Sequence, residues 1–156
     1  MTGQKRCIID ASILLDFIEG GIFDTLFSLP FDFSTSDIVA DEISRSYSPS
    51  ELQTLGLKIL GLEAEQVLMI EALQIEHIEL SPNDLSMYIL ARQHRSLLIS
   101  GDGPLRELAD SHKVEYHGTL WLLEEMIHRE LIAPQDAARA LRTIARQQTL
   151  AAPCRF

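Results

Sequence analysis

Residues 6–19, RCIIDASILLDFIE, decide the fold. Arg6 to Ile9 forms a short apolar run that reads as a buried strand. From Ser12 to Glu19 the apolar residues recur at helical spacing, and Gly20-Gly21 stops the pattern. A buried strand passing directly into a helix is the opening of a crossover unit, and the alternation repeats downstream. Ile22–Leu29 reads as a short helix closed by Pro30, Phe31–Thr35 as a second strand, and Asp37 to about Arg45 as a helix. A Ser/Pro turn precedes a helix opening at Ser50, and Glu63–Leu73 is helical; Leu57–Leu62 fits a strand or a helix continuation equally. Ser81-Pro82-Asn83-Asp84 has the form of a helix start, with a serine cap, proline at the first position and an acid at the third. That helix runs to about His94, Leu97–Ser100 is a buried strand, and Gly101-Asp102-Gly103-Pro104 turns into a helix over Leu105–His112. Val114–His117 completes the strands, and helices follow over Gly118–Leu131 and Pro134–Gln148. Strands separated by helices pair in parallel through right-handed crossovers, so the class is α/β with a sheet covered on both faces.

A chain of 156 residues with 46% hydrophobic and 23% charged residues has the composition of one globular domain, which excludes disordered, collagen-like and low-complexity chains. No internal repeat and no long Gly/Ser/Pro-rich linker divides it. The expectation is a single domain over 1–156, with a helical extension from about residue 134. Asp10 and Asp16 interrupt the early apolar stretch, which is therefore no signal-peptide core, and no membrane partner is expected. Cys7 and Cys154 make neither a metal-ligand pair nor a disulfide framework, which fits a reducing, cytoplasmic setting. A net charge of −10 excludes a protein that simply coats nucleic acid. The imbalance sits in residues 1–78, with 4 Lys and Arg against 13 Asp and Glu; residues 79–156 carry 9 against 10.

In open α/β sheets the site forms outside the carboxyl ends of the strands. Asp10 follows the first strand, Asp102 follows LLIS by two residues, Asp84 opens the helix leading into LLIS, and Glu42 lies in the helix after the second strand. Taken singly, Asp10 and Asp102 serve equally well as helix caps, Asp84 as the acid of a capping box, and Glu42 as part of a solvated helix face. Taken jointly, their placement at one sheet edge points to convergent carboxylates. Their mutual repulsion calls for a divalent cation, and oxygen-only ligands select Mg2+ or Mn2+ over zinc.

The ordered set IIDASILLDF, VADEI, LSPNDLSMYILA, LLISGDGPLRELA and EYHGTLWLLEEM resembles the PIN domain family of metal-dependent nucleases over nearly the whole chain, from Cys7 to about Ile132. The resemblance implies a three-layer α/β/α fold with a central parallel sheet of about five short strands. It also implies a metal site of Asp10, Glu42, Asp84 and Asp102, with Ser12 and Ser100 as supporting hydroxyls. Its closest bacterial pattern is that of VapC-type toxins and relatives ending in a Gly-Thr-Leu helix, here Gly118-Thr119-Leu120. The function so implied is Mg2+- or Mn2+-dependent endoribonuclease activity in a toxin–antitoxin pair, with RNA as substrate and an antitoxin and a second copy of the chain as partners. The alternative is a catalytically weak or inactive PIN-like module that serves as an RNA- or protein-interaction scaffold. Many relatives carry a further acid or Asn shortly after the fourth Asp, where this chain has Gly103, Pro104 and Leu105.

Arg106, in the first turn or so after Asp102, suits either a substrate phosphate or an ion pair with Glu107 or Asp110. Arg139, Arg142 and Arg146 form a stripe beside Ala138, Leu141 and Ala145, either for an RNA backbone or an acidic partner, or as a solvated face. Trp121 and Leu122 suit core or dimer packing, and the five histidines show no ligand spacing. Other phosphoryl-transfer folds fit poorly: a dehalogenase-type site wants Asp where Ser12 stands, and a receiver wants Lys at the last strand, whereas Lys113 precedes it.

Overall fold

The computed structural model describes residues 3–151, with side chains to 147; Cys154 lies outside the described residues. The elements follow in the order β1 (Lys5–Ile9), α1 (Ala11–Glu19), α2 (Phe23–Leu26), β2 (Phe31–Ser36), α3 (Asp37–Glu42), α4 (Pro49–Leu55) and β3 (Lys58–Leu60). Then come α5 (Ala64–Glu76), α6 (Pro82–Gln93), β4 (Leu97–Ile99), α7 (Gly103–Ser111), β5 (Tyr116–His117), α8 (Thr119–His128) and α9 (Pro134–Ala151). The sheet has the order β3-β2-β1-β4-β5, every pair parallel, and the helices flank it in a three-layer α/β/α arrangement.

This order places β1 at the centre. The chain moves outward from β1 through β2 to β3, then returns to add β4 on the other side of β1. The order therefore reverses between β1 and β4, where the loops leaving the two strands diverge and open a crevice. Cys7, Ile8 and Ile9 stand opposite Leu97, Leu98 and Ile99, and these six residues are all buried, as a strand covered on both faces requires. The ladder continues one step past β1: Asp10 N donates to Ile99 O at 3.0 Å.

Helix α6 holds the layer against the sheet. Seven consecutive residues, Leu85 to Ala91, are buried, because α5 lies on one side and β1, β2 and β4 on the other. Its start is fixed by a capping box between Ser81 and Asp84 with Pro82 at the first position, as the local sequence dictates. The segment at residues 57–62 resolves as strand β3, preceded by Gly56 in the left-handed region (φ 115) that ends α4. Helix α3 stops at Glu42, short of Arg45. The serine-rich segment that follows folds into successive turns, with Ser44 N on Asp41 O and Ser46 N on Ile43 O, before Ser48 caps α4.

Candidate active site at the carboxyl edge of the sheet

Asp10 is the N-cap of α1 and leaves β1 at the switch point, only 5% exposed. Its Oδ1 accepts from Ala11 N at 2.8 Å, while Oδ2 accepts from Ser100 Oγ at 3.0 Å and Ser12 Oγ at 3.3 Å. Three donors do not offset the loss of water. Burial, followed by the negative charge of Asp84, pushes the Asp10 carboxyl up from 3.8 to about 6, against the lowering effect of the Ser100, Ala11 and Ser12 bonds. A carboxylate held in place among neutral donors and beside another acid is an arrangement that a cation would relieve.

The other predicted acids reach this edge along separate routes. Asp84 stands at the third position of α6; its Oδ2 accepts from Ser81 N at 3.0 Å and Ser81 Oγ at 2.8 Å, and its charge acts on Asp10. Asp102 caps α7, with Oδ2 accepting from Leu105 N at 3.0 Å, and is tied to Asp10 through Ser100, whose Oγ accepts from Asp102 N at 3.1 Å. Glu42 ends α3, and its Oε2 accepts from Asn83 Nδ2. The cap roles and the proposed charge roles thus fall on the same side chains. Among the described residues no group of three or more His, Cys, Asp or Glu side chains could hold an ion, while the charge of Asp84 acts on Asp10. Locally, Asn83 bonds the end of Glu42, and backbone amides bond one oxygen each of Asp84 and Asp102.

A family model described as "DUF3368: PIN domain" matches residues 6–153. The chain belongs to the PIN domain family. PIN domains are generally nucleases that use divalent metal ions. Thirty-two chains of solved structures match. One is PAE2754 from Pyrobaculum aerophilum, with 14% identity, a TM-score of 0.56, and coverage of 78% of this chain and 95% of that one. Another is a PilT N-terminus domain protein, SSO1118, from the hyperthermophilic archaeon Sulfolobus solfataricus P2, with 11% identity, a TM-score of 0.49, and coverage of 76% and 91%. At such identity the likeness concerns the fold alone. Among the curated proteins, none matches.

The residues present in this PIN domain fit one hard divalent ion. The donors at the switch point are all oxygens, the Asp10 carboxyl is raised first by burial and then by its acidic neighbour Asp84, and Mg2+ is commonly held by only one or two carboxylates with water completing its octahedron. Asp10 and Asp84 would supply those ligands.

Several supporting side chains were not legible as functional in the sequence. Thr35 Oγ1 donates to Ile9 O at 2.8 Å and so braces the carbonyl just ahead of Asp10. Ser86 Oγ donates to Asn83 O at 2.6 Å, which leaves Ser36 Oγ to donate to Ser86 Oγ at 3.0 Å and to accept from Val39 N at 3.1 Å. This relay joins the starts of α3 and α6 and holds Asn83 beside Glu42. The signal available was the polar end of FDFSTS in an otherwise apolar strand, since Ser34, Thr35 and Ser36 are all buried.

Arg106 forms no ion pair with Glu107 or Asp110 among the described residues. Its Nε donates to Ser100 O at 2.7 Å and its guanidinium carbon lies 5.3 Å from the Tyr116 ring centre. Gly118 makes this possible: a Cβ there would collide with Arg106 Nη2, so any larger residue would push the guanidinium off the β4 exit. Thr119 Oγ1 donates to Asp16 Oδ2 at 2.9 Å and ties α8 to α1, which gives the Gly-Thr-Leu segment a structural use. The arginines of α9 face solvent, with Arg139 Nη1 3.2 Å from Asp136 Oδ1. The apolar side of that helix is Ala137, Ala140 and Ile144 with half-buried Leu141; Ala138 and Ala145 are exposed, because Ala140 and Ile144 pack closely over Gly20 of α1. Trp121 lies between Phe31 (5.4 Å) and His117 (4.2 Å), stacked on both rings. No helix among the described residues is long and apolar enough to cross a membrane.

Proposed function

We propose that this PIN domain is a metal-dependent endoribonuclease that hydrolyses RNA phosphodiester bonds and acts as the toxin of a toxin–antitoxin pair. The observation that supports it is Asp10: a buried carboxylate at the switch point, fixed by two serines and raised to about 6 beside a second acid. With Mg2+ or Mn2+ held there, the site would gain positive charge to favour loss of a proton from water and to offset charge building on the phosphate. Asp10 and Asp84 would hold the ion, with Asp102 coupled to them through Ser100. Glu42, its carboxylate bonded by Asn83, would orient the attacking water and accept its proton. Ser12 and Ser100 keep Asp10 Oδ2 aimed, and Arg106 steadies the Ser100 carbonyl. The exposed Arg139, Arg142 and Arg146 would track RNA phosphates or meet an acidic face of the antitoxin.

The test is cleavage of a fluorescent single-stranded RNA, with Mg2+, Mn2+ or EDTA. Cleavage with either metal, none with EDTA, and none for Asp10→Asn or Asp84→Asn in otherwise folded protein is expected; cleavage insensitive to EDTA would overturn the reading. A second reading, a catalytically weak module that binds RNA or protein, is favoured by one observation. Asp84, Asp102 and Glu42 each have an oxygen committed to a structural hydrogen bond. RNA binding without cleavage in Mg2+ and Mn2+ alike would select it. The toxin role is tested separately, by growth arrest on expression in bacteria and its loss in Asp10→Asn.

A further inference from the structure

We propose that the outer face of α5 is a docking surface for a cationic amphipathic helix of another protein. The inner face of α5 is conventional: Ile70 is buried, and Met69 and Leu73 pack against the core beside α6. Its outer face is apolar too. Among the described residues five large apolar side chains are exposed, and four of them fall between positions 67 and 78: Val67 at 41%, Leu68 at 65%, Ile75 at 81% and Ile78 at 88%. Val67, Leu68 and Ile75 share one side of the helix by their spacing, with Glu71 among them. Scattered single apolar residues need no explanation, whereas three large exposed ones grouped on the side of a helix turned away from its own core, with a fourth just beyond its end, do. Beside it, a cleft of about 240 Å³ between α5 and α6, lined by Met69, Ala72, Leu73, Tyr88, Ile89 and Arg92, offers room for an anchoring side chain.

Charge decides what covers the stripe. Glu63, Glu65, Glu71, Glu76 and Glu79 are all exposed around it, and no Lys or Arg occurs between Lys58 and Arg92. Glu65, Glu71 and Glu76 form no ion pair among the described residues, and Glu79 meets only His77, at 3.8 Å. An isologous dimer through this face would set the same acids against each other, and RNA or an anionic membrane would be repelled. A helix with apolar residues three and four apart, flanked by Lys and Arg, satisfies both the stripe and its rim. The surface involves none of the carboxylates of the switch point, so this inference stands apart from the nuclease reading.

The probe is a labelled, synthetic leucine/lysine amphipathic peptide of about 18 residues, long enough to form a helix on a surface, with a leucine/glutamate peptide of the same pattern as control. The parent protein should bind the lysine peptide one to one, more weakly as salt rises, and ignore the glutamate peptide. Leu68→Ser/Ile75→Ser and, separately, Glu71→Lys/Glu76→Lys should each weaken binding at least tenfold, a drop of about 1.4 kcal/mol. Melting temperature should stay near that of the parent, since every substituted side chain is exposed. Equal binding by the serine double variant would reduce the effect to bulk attraction for an acidic protein and overturn the proposal. So would a dimer of the parent, seen by sedimentation, that the serine double variant dissolves.

Discussion

The two ends of the same strands are built on opposite electrostatic plans. At the amino edge, Asp32 receives Lys58 Nζ at 3.0 Å and Arg6 Nε at 3.8 Å, and Lys5 meets Glu115 at 3.8 Å. Those pairs are largely exposed and each acid has a base. At the carboxyl edge, Asp10 has hydroxyls and an amide for partners and an acid for its charged neighbour. A fold that needed only stability would balance both ends alike. The charge left unbalanced at one end, in the buried position at the strand-order reversal, is where a cation and a substrate phosphate have something to gain.

The largest effect expected at the carboxyl edge is on turnover. Asp10→Asn should lower RNA cleavage by more than the roughly 10–100-fold that loss of a supporting partner costs, whereas Asp32→Asn at the amino edge should leave the rate unchanged in the same fluorescent assay. Equal losses in both would erase the contrast.

Next comes stability without metal. A raised carboxyl means that folded protein holds a proton the unfolded chain has released, so the stability Asp10 contributes is complete below pH 3.8 and lost as pH rises through about 6. At pH 7 in EDTA, Asp10→Asn should therefore melt above the parent. The shift implies at most about 3 kcal/mol, worth roughly 2–4 °C per kcal/mol at this size. The gap should close near pH 4, and Mn2+ should narrow it by stabilising the parent alone. Parallel melting curves at pH 4 and 7 would remove the charge argument.

Smaller effects test the supports. Ser100→Ala should reduce cleavage by about 10–100-fold, because Asp10 Oδ2 and Asp102 N lose their shared partner. Thr35→Val should cost about 1–2 kcal/mol in urea denaturation by removing the buried bond to Ile9 O. Smallest of all, Lys58→Ala at the amino edge should cost less than about 1 kcal/mol and vanish in high salt, as exposed pairs do.

Much of the carboxyl edge was legible in the sequence because its helices announce themselves locally. Ser81-Pro82-Asn83-Asp84 folds as a capping box, and Asp10 and Asp102 cap α1 and α7. The same legibility concealed the competition: an acid used as a cap has fewer oxygens to offer an ion, and no local pattern tells how far four acids stand apart. The internal bond of Arg106 was not legible in the sequence. Its partner is a backbone carbonyl six residues back, reached only because Gly118, distant in sequence, has no side chain in the way. On α9 the three arginines lie exposed, but the apolar side differs from Ala138, Leu141 and Ala145, because the packing of Ala140 and Ile144 over Gly20 fixes which face turns inward.

By itself the sequence determined the α/β class, the approximate positions of four of the five strands and of most helices, and the set of acids near the strand exits, while the segment at 57–62 stayed open between strand and helix. Periodicity, capping and turn chemistry act over a few residues and need no partner elsewhere in the chain. The tertiary structure alone decided that β1 lies between β2 and β4, which creates the crevice, and that Asp10 is buried there. It also decided the hydroxyl links, since Ser36 and Ser86 are 50 positions apart and Asp10 and Ser100 are 90. Strand order and burial arise from parallel pairings between distant segments, and the desolvation that raises Asp10 exists only once those segments have packed.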